Sequence, residues 1–402
     1  LRKIGGTKPA GKNDVAGIVD VLVEWCGRAG GDPRMVQGGG GNVSVKAGEL
    51  MFVKASGWTF LSLCNPDGFA VMRYAPVAAL FTRSRNGRKP SDEDYTGVLA
   101  ANLEKGSPAP SIESAMHAML GAVVCHTHPT ALLRVLCRRG ARGRITGIMN
   151  DIGVPWLMVP YANPGAALAA AVVRSAKAAG INLRKQPLAL FLKNHGLVTV
   201  DGTPAGATGL TERIVAGFDR GPCGAVSRPA AAKSGGSGGN SGLSQALIAA
   251  LDEMLAGEGC WREADRSLSQ AICGAVLGGR LPADRSLFPD QAVYCGQAVL
   301  VLSGTKRNVW EAAWDEYVSR RGIAPSTVIH RGGVLALRSS SDAQFNAQSE
   351  TWGCVGDVCM EGEGDLVFIP GKQVLALTGC KQERNRQRYI MSREAAMAFQ
   401  RR

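Results

Sequence analysis

Ser111-Ile112-Glu113-Ser114-Ala115-Met116-His117, followed by Val123-Val124-Cys125-His126-Thr127-His128-Pro129, is the stretch that decides how this chain is read. Val123 to Cys125 has the character of a short buried strand. Residues i and i+2 of a strand share a face, so His126 and His128 present two imidazoles side by side. His195, in Leu190-Phe191-Leu192-Lys193-Asn194-His195-Gly196, ends a second apolar run and supplies a third. Three neutral imidazoles with an open position describe a catalytic rather than a structural site for Zn²⁺ or another divalent ion. Glu113, upstream, is a carboxylate able to move a proton. The competing reading is a pair of hydrogen-bonded histidines at a strand end. It loses ground because, of the five histidines in the chain, His126, His128 and His195 all fall at the ends of apolar strand-like runs.

Glu-x-x-x-His, His-x-His-Pro and Asn-His-Gly, in that order, resemble the class II aldolase/adducin family. Pro110-Ser111-Ile112-Glu113 is most similar to the rhamnulose-phosphate aldolase-like half of bifunctional aldolase/dehydrogenase proteins. The resemblance implies an α/β fold, a three-layer α-β-α domain over residues 1–224. It also implies a zinc-dependent aldolase that cleaves a ketose 1-phosphate to dihydroxyacetone phosphate and an aldehyde. His126, His128 and His195 would hold the ion and Glu113 would act as acid/base. Cleavage beside a carbonyl leaves an enediolate, which a divalent ion stabilises as a Lewis acid. Burial is expected to raise the Glu113 pKa and suit it to proton transfer. His117, four residues after Glu113, is expected on the same helical face, in a supporting role. One departure stands out: fuculose-type relatives use a tyrosine between the His-x-His strand and the Pro-Tyr loop, and no Tyr lies between His128 and Tyr161.

Upstream, Asp14 to Trp25 reads as an amphipathic helix, with Val15, Ile18, Val19 and Leu22 on one face. Gln37-Gly38-Gly39-Gly40-Gly41-Asn42-Val43-Ser44 comes next, and then, after a strand at Leu50 to Lys54, Ala55-Ser56-Gly57. Glycines let the backbone approach a ligand and turn its N–H groups inward. Neither loop is a Walker or dinucleotide motif. In the family these loops cradle the substrate phosphate, which carries over to Gly41, Asn42, Ser56, Gly57 and Ser111. Downstream, Thr130 to Cys137, Ala166 to Ala179 and Thr203 to Phe218 read as helices, and Leu188 to Leu192 as the strand before His195. Such alternation argues an α/β layered domain.

Lys233 to Gly242 is a Gly/Ser linker within a boundary at 225–243. It opens a second, smaller α/β domain over 244–402. There Gln245 to Leu255 reads as helix, Ala292 to Leu302 as strand and Val309 to Val318 as helix. Arg331-Gly332-Gly333-Val334-Leu335-Ala336-Leu337, with a helix from Ser341 to Trp352 after it, echoes Asn194-His195-Gly196-Leu197-Val198 and the helix beyond. Two readings stand level: a degenerate copy of the first unit, with Gly332 where the metal-binding His would be, or an ordinary glycine before a strand.

The 402 residues suffice for two domains and a large core. A net charge of +13 raises the question of nucleic acid, but no recognition motif accompanies it and aromatics are only 6%. The reading therefore expects a small phosphorylated sugar as partner and a homo-oligomer, with no nucleic acid and no membrane. No apolar run approaches ~18 residues, and Leu1 to Gly6 lacks the apolar region of a secretory signal. Eleven scattered cysteines fit reduced thiols in a cytoplasmic protein better than disulfides. Two alternatives stay open: a decarboxylase, epimerase or dehydratase acting on a sugar acid or sugar phosphate through the same site, and a non-catalytic adducin-like binding protein.

Overall fold

A computed structural model describes residues 12–63, 65–83, 90–219, 241–255, 259–360 and 365–379. Seven strands form the first sheet: β1 (Asn42–Ala47), β2 (Leu50–Lys54), β3 (Phe69–Arg73), β4 (Val123–Thr127), β5 (Trp156–Val159), β6 (Leu188–Leu192) and β7 (Gly196–Asp201). Their order is β3-β2-β1-β4-β7-β6-β5, antiparallel throughout except for the β5–β6 pair.

Side chains alternate across these strands as the pleat requires. Val43 and Val45 of β1 pack with Val19 and Leu22 of helix Lys12–Gly30 on one face. Leu188, Leu190 and Leu192 of β6 pack with Leu168 and Val172 of helix Ala166–Ala179 on the other. Ala189 and Phe191, between those leucines, face helix Pro204–Phe218. With helices on both faces, the unit is the three-layer α-β-α arrangement expected.

The second, smaller sheet comprises β8 (Cys260–Glu263), β9 (Leu300–Leu302), β10 (Thr327–His330) and β11 (Val334–Ser339), in the order β8-β11-β10-β9. The β9–β10 pair is parallel and the others antiparallel. This repeats the order and polarity of β4-β7-β6-β5. Both hairpins, β6–β7 and β10–β11, close through three residues, after Leu192 pairs with Gly196 and His330 with Val334. By that register Gly333, rather than Gly332, occupies the place of His195.

Three further sequence expectations are modified. Ala292 to Leu302 is not one strand: Pro289–Cys295 is a helix and only Leu300–Leu302 is extended. Pro289 at the first helical turn loses no needed N–H, and Gly296 at φ 92° ends the helix. Helix Lys12–Gly30 runs through Gly27, past its expected end. The linker at 225–243 lies outside the described residues up to 240, and its last residues belong to helix Ser241–Met254.

The two units pack against one another in one core cluster. Leu133 and Cys137, from the first unit, are buried among Ile272, Leu287, Val355 and Val358 of the second. Each of the eight described cysteines is free, and all but Cys260 are buried. No helix among the described residues is long and apolar enough to cross a membrane.

Candidate metal centre

His126 is the fourth residue of β4, at the centre of the larger sheet, and His128 lies just past the strand end. His195 sits in the turn between β6 and β7, the strand beside β4. Nearest neighbours in the sheet thus bring together residues that are far apart in sequence. All three imidazoles are buried, and one ligand atom of each lies within 4.8 Å of the others. Among the described residues this is the group of side chains able to hold a metal ion.

The hydrogen bonds fix the tautomers. Nδ1 of His126 donates to the Leu197 carbonyl at 2.8 Å. Nδ1 of His128 donates to Asp290 Oδ2 at 2.6 Å. Both Nε2 atoms therefore carry lone pairs, and they face one another at 3.1 Å. Two lone pairs at that distance repel unless a cation lies against both. Three neutral imidazoles are also the donor set that suits Zn²⁺ with an open position. The residues fit a divalent ion.

Burial, the largest cause, lowers the pKa of His126 and brings His195 down to about 3. Glu113 and Asp290 work against that trend, while the neighbouring imidazoles reinforce it. These two imidazoles are thus held in the neutral form that metal binding needs.

Glu113 is the residue before helix Ser114–Met119. Its Oε2 lies 3.3 Å from Nε2 of His126 and its Oε1 3.3 Å from Nε2 of His195. Asn42 Nδ2 donates to Oε2 at 2.7 Å and to Ser111 Oγ at 3.2 Å. The opposite amide orientation would set an oxygen against a carboxylate, so this assignment is the consistent one. Burial would raise the Glu113 pKa, as the sequence suggests. The interactions with the neighbouring His126, His195 and His128 rings, with the Asn42 hydrogen bond, together outweigh it and bring the group down to about 2.

Several residues that aim Glu113 carry no local sequence signal. Tyr95 Oη donates to the Ile112 carbonyl at 2.7 Å and accepts from the Ala115 N–H at 3.1 Å. Lys46 Nζ donates to the carbonyls of His117, Leu120 and Gly121 at the end of the short helix. A cation there complements the helix dipole, although burial, with a smaller push from Arg184, lowers its pKa to about 7. His117 Nδ1 meets Ser44 Oγ at 2.7 Å, within the fold.

A cavity of about 330 Å³ opens over the centre. That lies at the lower end of the ~300–1,000 Å³ range of small-molecule sites. Gly41, Asn42, Ser56, Ser111, Glu113, His128 and His195 line it. Gly57, at φ 81°, shapes the loop without lining the cavity. Ser56 is brought to Ser111 because Ala55 bridges Pro110 and the Ser56 N–H bonds the Ala109 carbonyl at 2.8 Å. Sequence reasoning missed Lys54, a buried cation in the lining, whose Nζ donates to the Trp58 carbonyl at 2.5 Å. It also missed the apolar walls: Leu99 and Leu103 on one side, Val293 and Leu377 of the second unit on the other.

The glycine run differs most from expectation. The Gly38 N–H bonds Glu350 Oε2 at 3.0 Å and the Gly39 N–H bonds Tyr294 Oη at 2.8 Å. The Gly40 N–H bonds the Gln37 carbonyl at 2.9 Å. These donors are engaged within the protein, two of them by the second unit. The glycines allow close approach of protein at these three positions, while Gly39 and Gly41 also line the cavity.

Residues 21–218 match the family model of the Class II Aldolase and Adducin N-terminal domain. No curated protein matches the chain. Similar solved structures include the N-terminal class II aldolase domain of a conserved protein from Thermoplasma acidophilum, at 26% identity over 55% of this chain and 97% of that one, TM-score 0.42. A sugar-phosphate aldolase from Thermotoga maritima matches at 13% identity over 51% of this chain and 93% of its own, TM-score 0.39. L-fuculose-1-phosphate aldolase from Thermus thermophilus matches at 15% identity over 50% and 92%, TM-score 0.33.

Proposed function

We propose that this chain is a zinc-dependent class II aldolase that cleaves a ketose 1-phosphate to dihydroxyacetone phosphate and an aldehyde. The observation that carries the reading is the position of Glu113, with its carboxylate 3.3 Å from Nε2 of both His126 and His195 at the base of the cavity. When bound by the three histidines, the ion supplies Lewis-acid stabilisation of the enediolate.

The chain's own residues do the rest. Glu113, kept ionised by its neighbours, is a base at rest. In the condensation direction it takes the proton from the hydroxyl-bearing carbon beside the carbonyl, on the side away from the phosphate ester, and in cleavage the same carboxyl returns it. Asn42 prevents that carboxylate from turning away. Ser56 and Ser111, with Lys54 nearby, make the polar end of the cavity and would anchor the phosphate. The walls of Leu99, Leu103, Val293 and Leu377 exclude water from the reacting carbon. The test is a screen of ketose 1-phosphates with product identification on protein of known metal content. Retro-aldol products, blocked by an enediolate-mimicking phosphohydroxamate, are expected.

One observation favours a second reading, a decarboxylase, epimerase or dehydratase acting on a sugar acid. The N–H groups of Gly38, Gly39 and Gly40 and the Asn42 amide hydrogens are engaged inside the protein, which leaves fewer neutral donors for a phosphate. Equal binding of phosphorylated and unphosphorylated ligands would select it. For the second unit, residues 244–402, the reading is a degenerate copy of the first that holds no metal. Its support is the strand order and hairpin length repeated in the smaller sheet.

A further inference from the structure

The second unit reaches into the metal centre itself. Helix Pro289–Cys295 begins against His128, and Asp290, only 2% exposed, holds the imidazole Nδ1 at 2.6 Å across 162 positions of sequence. Gly40 makes room for this pair. A Cβ there would lie 2.7 Å from both Asp290 Oδ2 and His128 Nδ1. The turn that carries His195 is held from the same side: Asn194, at φ 52°, donates through Nδ2 to the carbonyls of Leu287 at 2.8 Å and Val367 at 2.6 Å.

We propose that Asp290 is a positioning residue of the metal centre. Its carboxylate fixes His128 as the Nδ1–H tautomer and turns Nε2 toward His126 and His195. The C-terminal unit, which brings no ligand, thereby completes the site of the N-terminal one. An imidazole whose Nδ1–H has lost its acceptor can rotate or shift its proton to Nε2, and either change removes a ligand. A carboxylate partner also makes the ligating nitrogen more basic. The inference rests on the metal reading of His126, His128 and His195.

The test uses full-length protein stripped of metal, with Zn²⁺ affinity read by competition against a chelating dye. Asp290→Asn, Asp290→Ala and Gly40→Ala are compared with Tyr294→Phe, which removes an acceptor at the same interface without touching His128. Affinity should fall about 10–100-fold in the first three, Asp290→Ala more than Asp290→Asn, and stay within about twofold in Tyr294→Phe. ¹⁵N-imidazole spectra of metal-free protein should show the His128 Nδ1–H in wild type and its loss in Asp290→Ala. Unchanged affinity in folded Asp290→Ala, or an equal loss in Tyr294→Phe, overturns the assignment. If Asp290→Ala fails to fold, the same spectra on Asp290→Asn and Gly40→Ala decide. A wild type that takes up no Zn²⁺ sinks the metal reading instead, and the tautomer measurement still judges Asp290.

Discussion

Strands β4-β7-β6-β5 and β8-β11-β10-β9 have one order, one polarity and one hairpin length, yet among the described residues only the first set gathers imidazoles into a cluster. Counting from the equivalent hairpins, His126 falls opposite Val198 in the first sheet and Glu263 opposite Ala336 in the second. The positions of His128 and His195 are then taken by Asp265 and Gly333. Those replacements serve local structure. Asp265 Oδ1 accepts from the Leu268 N–H at 2.9 Å and caps helix Arg266–Leu277. Glu263 accepts a short hydrogen bond from Ser244 Oγ. A strand frame therefore places three side chains together but does not choose their chemistry. The choice lies in a few residues at strand ends and turns, and at Gly333, with φ 86°, the backbone itself disfavours a side chain.

The largest effects should come from the residues in which the two sets differ. Replacing His126 or His195 with Ala should abolish stoichiometric metal, read by elemental analysis of purified protein. Full occupancy in both variants would make the first set as bare as the second. Glu113→Gln preserves shape and removes proton exchange, so turnover should fall at least ~10²-fold with metal retained. Unimpaired turnover would move the proton transfer to another group.

Acid should separate the units next. Burial is the main cause that lowers His117 and His195 to about 3, whereas an unfolded histidine titrates near ~6.5. Between those values the unfolded chain binds more protons than the fold. Stability from these groups is thus complete above ~6.5 and is lost as pH falls toward 3. Glu113, lowered from 4.5 to about 2, adds a loss of the same sign over its own window. Metal-free protein should show a falling Tm from pH 7 to pH 4, and the fall should shrink in His117→Gln. A flat profile would mean that these imidazoles are not neutral and buried in the fold.

The sequence made some of this legible and not the rest, for reasons that individual residues show. β2 at Leu50–Lys54, β6 at Leu188–Leu192 and helix Ala166–Ala179 read correctly because alternation and alanine content are local signals. The pairing of His126 with His128 is likewise a two-residue pattern. Pro289–Cys295 was hidden in an apolar run whose Val, Tyr and Cys favour strand, and only Pro289 marked the start of a helix. Asp290, Tyr294 and Glu350 were out of reach because their partners, His128 and the glycine run, lie more than a hundred residues away. The same distance explains why the protein partners of Gly38 and Gly39 could not be read from the sequence. Close approach by a second unit and by a phosphate require the same missing Cβ.

Ser56→Ala tests the polar end of the cavity, where the two units meet around one space. It should weaken phosphorylated ligands by about tenfold, in line with loss of one hydrogen bond to a charged group, and leave metal content unchanged. Titration calorimetry with a ketose 1-phosphate and its unphosphorylated counterpart reads the difference. Indifference to the phosphate would favour the sugar-acid reading.

The smallest effect is expected at Glu263, the counterpart of His126. Glu263→Gln removes a charge from an exposed residue and keeps an oxygen to accept from Ser244. An exposed charged contact contributes ~1 kcal/mol or less, so the melting temperature should move by no more than a few degrees. Metal content and turnover should stay at wild-type values. That outcome separates the two ways in which the second unit could matter. If it acts through Asp290 and the shared core, its own strand-end carboxylate is irrelevant to the ion. If instead Glu263→Gln lowers metal content as His126→Ala does, the second set holds a ligand of its own, and the likeness between the two sheets extends from backbone to chemistry.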